Sequence, residues 1–388
     1  MKILYHHRIR SKDGQFVHVE ELISALRGLG HEVIIVAPTA SEKTEFGDEG
    51  GAVMWLKRFM PHFIYELMEL SYSLIVYRRL VRAVKEHHPD CLYERYNLFQ
   101  PAGVWIKRRY RLPMLLEVNA PIFSERSSYD GLSLKRLARW SERYTWINAD
   151  VVLPVTQALG DMVHQEGVPW ERIVVIPNGI NTDRFGKKLD ATAAKKALKL
   201  DGRFILGFTG FVRDWHGLDK VINFLAHDDS ASQCHLLVVG DGPARSGLEA
   251  QAKHLGVADR VLFTGVVERD HVAQYIAIFD IALQPAVVAY ASPLKLFEYL
   301  ALGRAIVAPD QPNIREVLQD GENALLFEPK SESGLVQAIK RLIDDDVLRR
   351  RISCNAADAI AKQGLTWSNN ARRVTALAEQ IIAVTRDD

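Results

Sequence analysis

The chain has 388 residues, 48% hydrophobic and 25% charged, a length and composition that suit two soluble domains with ordinary cores. The formal net charge is only +1, and no dense basic run interleaved with aromatics marks a nucleic-acid partner. Cys91, Cys234 and Cys354 are scattered and in no CxxC spacing, which argues against a disulfide framework or zinc site and for a reducing, cytoplasmic setting.

Strand-like and helix-like segments alternate from the start. Lys2–Tyr5 is a short apolar run without the long apolar stretch of a signal peptide. Val17–Leu29 has helical spacing and ends at Gly30, and Glu32–Val36 is again apolar and β-branched. Phe63–Tyr77 is the longest apolar stretch, interrupted by Glu66 and Glu69, so no transmembrane span is expected. Further strands are expected at Cys91–Tyr93, Met114–Val118, Val151–Val155 and Ile173–Ile176.

Pro177–Asp183 is dense in turn residues, and after a basic, Ala-rich segment the alternation restarts. Arg203–Phe208, His235–Val239, Val261–Phe263, Ile281–Gln284 and Ala305–Ala308 read as strands of a second sheet. The pattern predicts an α/β protein with two Rossmann-like doubly wound domains, 1–185 and 186–365, and a last helix from an N-cap at Ser368 to about Val384.

The densest signal lies at Ser292–Gly303. Pro293 suits a helix start and Gly303 its C′ position, with Lys295 and Glu298 on the first turns. Such a helix start offers free N–H groups and a positive dipole end to a phosphate or diphosphate. Glu298 can accept hydrogen bonds from sugar hydroxyls, so the pair suggests a nucleotide sugar.

Motifs along nearly the whole chain resemble family 4 glycosyltransferases, retaining enzymes of GT-B fold that use nucleotide sugars. They are Asp13-Gly14-Gln15 with Gly30-His31-Glu32-Val33, Val155 to Gly160, Ile176-Pro177-Asn178-Gly179-Ile180, Gly210 to Gly217, Gly240-Asp241-Gly242-Pro243, Phe263-Thr264-Gly265 and the Ser292–Gly303 block. Trp215-His216-Gly217-Leu218 and Ser292 to Tyr299 look most like a branch linked with bacterial surface polysaccharides. The resemblance implies two domains facing a cleft, with the final helix, 366–388, crossing back to the first domain. The acceptor would bind in the N-terminal domain and the nucleoside-diphosphate sugar in the C-terminal one, without an essential metal or other cofactor.

Carried over residue by residue, the resemblance assigns Arg213, Lys295, His216 and Asn119 to catalysis. Gly14, Gly210, Arg213, Gly265, Val266, Tyr290, Ser292, Pro293, Leu294, Lys295 and Glu298 would bind donor. Arg213 and Lys295 would stabilise charge on the leaving diphosphate, and a protonated His216 would add a third cation. Glu298 would hold ribose hydroxyls. The sequence departs from the family pattern in four places: Tyr290 stands where a first Glu is usual, Phe211 where an Arg is usual, His216 where a Lys is usual, and Asn119 where an acceptor-side His is usual.

Gly240-Asp241-Gly242-Pro243 lacks a dinucleotide fingerprint, because Arg245 occupies the third glycine position. Asp228-Asp229 and Asp344-Asp345-Asp346 read as solvated helix-end carboxylates and not as metal ligands. Residues 51–147 carry 16 Lys and Arg against 9 Asp and Glu. There, Trp55–Met60, Phe63–Arg79 and Trp105–Tyr110 mix bulky apolar with basic side chains, a composition suited to peripheral contact with an anionic membrane and access to a lipid-linked acceptor. Packing on the sheet explains the same helices equally well. The expected function is hexosyl or N-acetylhexosaminyl transfer to a glycan, lipid-linked or small-molecule acceptor. The alternatives are a sugar-nucleotide epimerase of the same fold and a non-catalytic nucleotide-sugar-binding partner protein.

Overall fold

The computed structural model describes residues 1–9, 14–38, 61–186, 189 and 191–387. The chain divides into two compact units. The first comprises Met1–Pro177, Tyr290–Ser292 and Trp367–Asp388, and the second Asn178–Ala289 and Pro293–Thr366.

The first unit is built on β1 (Lys2–His6), β2 (Glu32–Val36), β3 (Cys91–Arg95), β4 (Met114–Val118) and β5 (Val151–Pro154). They form one parallel sheet in the order β2-β1-β3-β4-β5. Every residue of β3 and β4 is buried, as a parallel sheet covered on both faces requires. The main helices are α1 (Gly14–Gly28), α2 (His62–His87), α3 (Ala102–Tyr110) and α4 (Lys135–Asn148) between the strands, and α5 (Gln157–Gln165) after β5. The chain runs from β1 outward to β2 and then returns to β3 on the other side of β1, so the topological switch point lies between β1 and β3.

The second unit carries β6 (Phe204–Thr209), β7 (Cys234–Val239), β8 (Val261–Phe263), β9 (Ile281–Leu283), β10 (Ala305–Pro309) and β11 (Leu325–Phe327), ordered β11-β10-β9-β6-β7-β8 and all parallel. Its main helices are α6 (Leu218–His227), α7 (Arg245–His254), α8 (Arg269–Ile276), α9 (Leu294–Ala301), α10 (Glu332–Asp344) and α11 (Asp346–Gln363). One apolar cluster contains Leu206, Phe208, Leu236 and Val238, and another Ile205, Leu237 and Val239. Successive strand residues thus alternate between two cores, one on each face of the sheet. The switch point falls between β6 and β9.

Most expected strands appear to within two residues at each end, and α1 begins three residues earlier than expected. Four expectations need correction. Ile173–Ile176 is not a strand. Val174 and Ile176 donate to the Val152 and Pro154 carbonyls, both at 3.0 Å, but Pro154 has no N–H to return, so only the Val152–Ile173 bridge forms. The boundary lies at Pro177/Asn178 and not at 185/186, because Ile180 bridges Thr366 and Phe185 is buried in the second unit's core. Tyr290–Ser292 belongs to the first unit, where Thr156 Oγ1 donates to the Tyr290 carbonyl at 2.9 Å. Ser368 is not an N-cap, because Thr366 is the extended bridge residue and the last helix, α12, starts at Trp367 and runs to Asp387.

α12 packs along α1 within the first unit. The Trp367 ring meets His18 edge-on at 4.8 Å, His31 Nε2 bonds Thr375 Oγ1 at 2.9 Å, and Asn370 and Arg373 donate to the Pro177 and Val175 carbonyls at 2.7 Å. Among the described residues, no helix is long and apolar enough to cross a membrane. Cys91 and Cys234 are buried free thiols and Cys354 an exposed one.

Candidate active site

The second unit places its chemistry at the carboxyl ends of β6 and β9, the switch point of its sheet. β6 ends at Thr209, and Gly210 follows with φ +121°. A Cβ on Gly240, which follows β7 with φ +142°, would stand 2.1 Å from the Gly210 carbonyl oxygen, so the loops after β6 and β7 touch backbone to backbone and only glycine fits. Gly210 N–H donates to the Val239 carbonyl and Val212 N–H to that of Asp241, both at 2.9 Å. The Gly240–Gly242 motif is therefore a packing turn. Gly240 bridges Gly265 (φ +71°) at the end of β8, where Val266 is exposed.

α9 follows β9 and carries Lys295 and Glu298. Pro293 is its N-cap residue and makes no side-chain cap hydrogen bond. At the other end, Gly303 (φ +58°) donates to the Leu300 carbonyl and Arg304 to that of Tyr299, both at 2.9 Å, a Schellman motif. Tyr299 ties α9 to β6, since its hydroxyl takes the Thr209 N–H at 2.9 Å.

Lys295 Nζ sits over the Phe208 ring, 3.6 Å from the centroid, and would lie 3.4 Å from a Cβ on Gly210. It has no ion pair within 4 Å among the described residues. Burial pulls its pKa down to about 7, with Glu298 opposing. Burial also lifts Glu298 to about 7, against the nearby charges of Lys295, Arg269 and Arg184. The Glu298 carboxylate takes no hydrogen bond among the described residues, which leaves it available to hydroxyl donors.

His216 shares the Phe208 ring at 5.1 Å between centroids, and the exposed Trp215 ring lies 4.1 Å from it. Its Nδ1 accepts the Arg213 N–H at 3.1 Å. Burial, then the charges of Lys295 and Arg213, lower its pKa to about 2. His216 is therefore a neutral imidazole with an Nε2–H to donate. Arg213 is exposed, its guanidinium 4.9 Å from the Phe211 ring centroid.

The first unit holds a second polar cluster at the carboxyl ends of β1, β3 and β4. Buried Glu117 accepts from Tyr93 Oη at 2.7 Å, His18 Nε2 at 3.1 Å, Arg95 Nη1 and Asn119 Nδ2. Burial alone would raise its pKa, but the His18 and Arg95 charges outweigh it and hold the carboxyl well below the usual range. Across the switch point, His6 Nδ1 bonds Glu94 Oε2 at 3.0 Å.

Residues 12–184 match the family model described as Glycosyltransferase Family 4, and residues 190–359 the model described as Glycosyl transferases group 1. The chain belongs to glycosyltransferase family 4. Alpha-D-kanosaminyltransferase of Streptomyces kanamyceticus is 28% identical over 227 residues, covering 57% of this chain and 58% of that protein. The chain thus spans little more than half the length of the first curated relatives it matches. Sucrose-phosphate synthase of Thermosynechococcus elongatus superposes with TM-score 0.78 at 17% identity, covering 99% of this chain and all of that one. HepE of Anabaena, solved in complex with UDP-glucose, gives 0.75 at 20% identity, covering 98% and 100%. These likenesses establish the GT-B fold.

In this family 4 chain, the second unit brings together Gly210, Arg213, His216, Lys295 and Glu298, with Pro293 and Leu294 at the start of α9 and Gly265 and Val266 after β8. Gly14, Asn119, Tyr290 and Ser292 belong to the first unit. Gly14 is the exposed first residue of α1. Tyr290 packs on the first core, its hydroxyl bonded to Glu125 Oε1. The acidic runs are helix-end features: Asp228 pairs with Lys340 at 3.0 Å, Asp345 accepts the Leu348 N–H, and Asp346 binds Arg349 and Arg350. Sequence reasoning gave no role to Tyr299 or Phe208, although Tyr299 lies inside the quoted block. It passed over His18 on α1, and over His6, Glu94 and Arg95, for which the only signal was charge at strand ends.

Proposed function

We propose that the protein is a glycosyltransferase that moves a hexose or N-acetylhexosamine from a nucleoside-diphosphate sugar, with retention of configuration, in polysaccharide or glycoconjugate assembly. The carrying observation is Lys295, a half-buried ammonium without an ion pair among the described residues, beside Gly210 at the start of α9, with Glu298 one turn further on. Lys295, Arg213 and the first-turn N–H groups would take up charge on the departing diphosphate. His216 Nε2–H would donate to a phosphate oxygen, and Glu298 would accept from ribose hydroxyls. Gly210, Gly265, Val266, Ser292, Pro293 and Leu294 would line the donor. In this reading the leaving diphosphate helps deprotonate the acceptor hydroxyl, so neither a protein base nor an essential metal is required.

The first unit would bind a glycan, lipid-linked or small-molecule acceptor, with Gly14 and Asn119 on that side and Tyr290 at the sugar. We place the protein in the cytoplasm, with peripheral contact to an anionic membrane. Phe63, Leu67, Leu74 and Ile75 are exposed on α2, and Arg78 and Arg82 follow on the same helix. Trp55–Met60 lies outside the described residues. The epimerase and non-catalytic alternatives are not favoured, since the first relatives are named as transferases.

Thermal-shift screening against UDP-, GDP-, ADP- and TDP-sugars tests the reading. UDP-sugars come first because the HepE structure holds UDP-glucose. A ligand at about 100 times its Kd stabilises by about 2.7 kcal/mol. A shift with one nucleotide class, lost in Lys295→Ala and Glu298→Ala, supports the site. Wild-type turnover in Lys295→Ala refutes its role.

A further inference from the structure

A cavity opens at the carboxyl ends of β1 and β2, lined among others by His6, His7, Arg8, Ala37, Tyr72 and Arg79. The Arg8 guanidinium lies 5.2 Å from the Tyr72 ring centroid. Arg79 Nη1 approaches the hydroxyl of the same tyrosine at 3.5 Å and the Ala37 carbonyl at 3.4 Å. Both contacts are long, and both acceptors are uncharged. Arg79 has no ion pair among the described residues. Arg8 has one carboxylate nearby, Glu69 at 3.7 Å, and Arg126 holds that carboxylate more closely at 2.7 Å. Among the described residues, Arg8 and Arg126 share the Glu69 carboxylate and Arg79 pairs with none, so three guanidinium groups have one carboxylate between them.

Among the described residues, the walls add donors and no further carboxylate. His7 Nδ1 accepts the Ile9 N–H at 3.2 Å, and burial lowers its pKa to about 4, so it is a neutral ring with Nε2–H to offer. His6 Nδ1 engages Glu94, the acidic group opposite it on β3. Half-buried guanidinium groups with unspent planar donors are matched to phosphoryl oxygens, which they grip bidentately. Three guanidinium groups with one carboxylate among the described residues suit a phosphate dianion or diphosphate better than a single carboxylate.

We propose that this cavity is a phosphoryl-binding subsite in the first unit, and that the acceptor carries a phosphate or diphosphate which Arg8 and Arg79 hold. This rests on the reading that the first unit binds the acceptor. The phosphoryl group would belong to a prenyl diphosphate carrier or to a sugar phosphate.

Calorimetric titration of inorganic pyrophosphate into the full chain tests the inference in wild type, Arg79→Gln, Arg8→Gln, Arg79→Lys and Lys295→Ala. Two independent classes of site are expected. One weakens only in Lys295→Ala. The other weakens at least tenfold in both Gln variants and is partly restored in Arg79→Lys. Farnesyl diphosphate and glucose 6-phosphate then distinguish the two sources, and binding of either that is lost in the Gln variants supports the subsite. Pyrophosphate binding unchanged in both Gln variants, or absent outside the Lys295-dependent class, overturns it. Glucuronate bound as tightly as pyrophosphate and lost in the same variants also overturns it, in favour of a carboxylate acceptor. Loss of the Lys295-dependent class alone counts against the donor assignment and leaves this subsite standing.

Discussion

Replacing Lys295 with methionine should stabilise the unliganded protein while abolishing its response to donor. Burial lowers the Lys295 pKa from 10.5 to about 7, which at about 1.4 kcal/mol per pH unit sets a ceiling of about 5 kcal/mol on the cost of holding the charged form. Water screens a half-buried ammonium, so about 1–2 kcal/mol is the expected cost. Methionine keeps the length of the side chain and its contact with Phe208 without the charge. For a unit of this size, 1 kcal/mol moves Tm by about 2–4 °C. The sign with pH follows from proton linkage. Below pH 7 the lysine is charged both folded and unfolded, and the penalty is complete. Between about 7 and 10.5 the unfolded chain binds the extra proton, so wild-type stability rises with pH and its deficit relative to the variant shrinks. Scanning calorimetry at pH 6 and pH 9.5, with and without a saturating UDP-sugar, reads both effects. A Met variant that melts below wild type at pH 6, or keeps the full ligand shift, would refute the reasoning.

Donor affinity should also fall as pH rises above about 7, by up to tenfold per unit, because binding a diphosphate must recharge Lys295; titrations from pH 6 to 9 should show a slope that is absent in Lys295→Met. Glu298→Gln should keep the fold and weaken nucleoside-diphosphate sugars by about tenfold, with less effect on pyrophosphate, which has no ribose; equal losses for both ligands would argue against hydroxyl recognition. Gly240→Ala should fail to fold normally or lose several kcal/mol, because its Cβ would fall 2.1 Å from the Gly210 carbonyl oxygen; denaturant unfolding measures this. Glu117→Ala should cost about 3–5 kcal/mol by stranding Arg95 beside His18, and an unfolding midpoint within 0.5 kcal/mol of wild type would contradict the buried network.

Much of the architecture was legible because parallel strands buried on both faces read as short apolar runs, and because glycine and proline punctuate them. Leu325–Phe327 escaped notice since three residues at a sheet edge carry little period. Ile173–Ile176 looked like a strand from its β-branched residues, yet whether it pairs depends on a proline in its neighbour. The donor-side cluster was partly legible, since Lys295 and Glu298 sit one helical turn apart and a pattern of local spacing suffices. Their proximity to Phe208 and Gly210 depends on β6 and β9 becoming neighbours, which spacing along the chain does not encode. The charged groups around Glu117 and Arg79 were illegible for the same reason, each lying on a different strand or helix. Whether His216 is charged was not legible either, because burial and the nearby charges of Lys295 and Arg213 decide it.

The interleaving of the two units in the chain has a consequence for biosynthesis. The first unit gives up its continuity at Pro177 and recovers its last helix, α12, only after the whole of the second has been made. On the ribosome, the apolar face of α1 that receives α12, including the ring of His18 that meets Trp367, waits through the translation of nearly two hundred residues. The part of the protein that is synthesised first is therefore completed last, and a nascent chain released before Trp367 would leave that face uncovered.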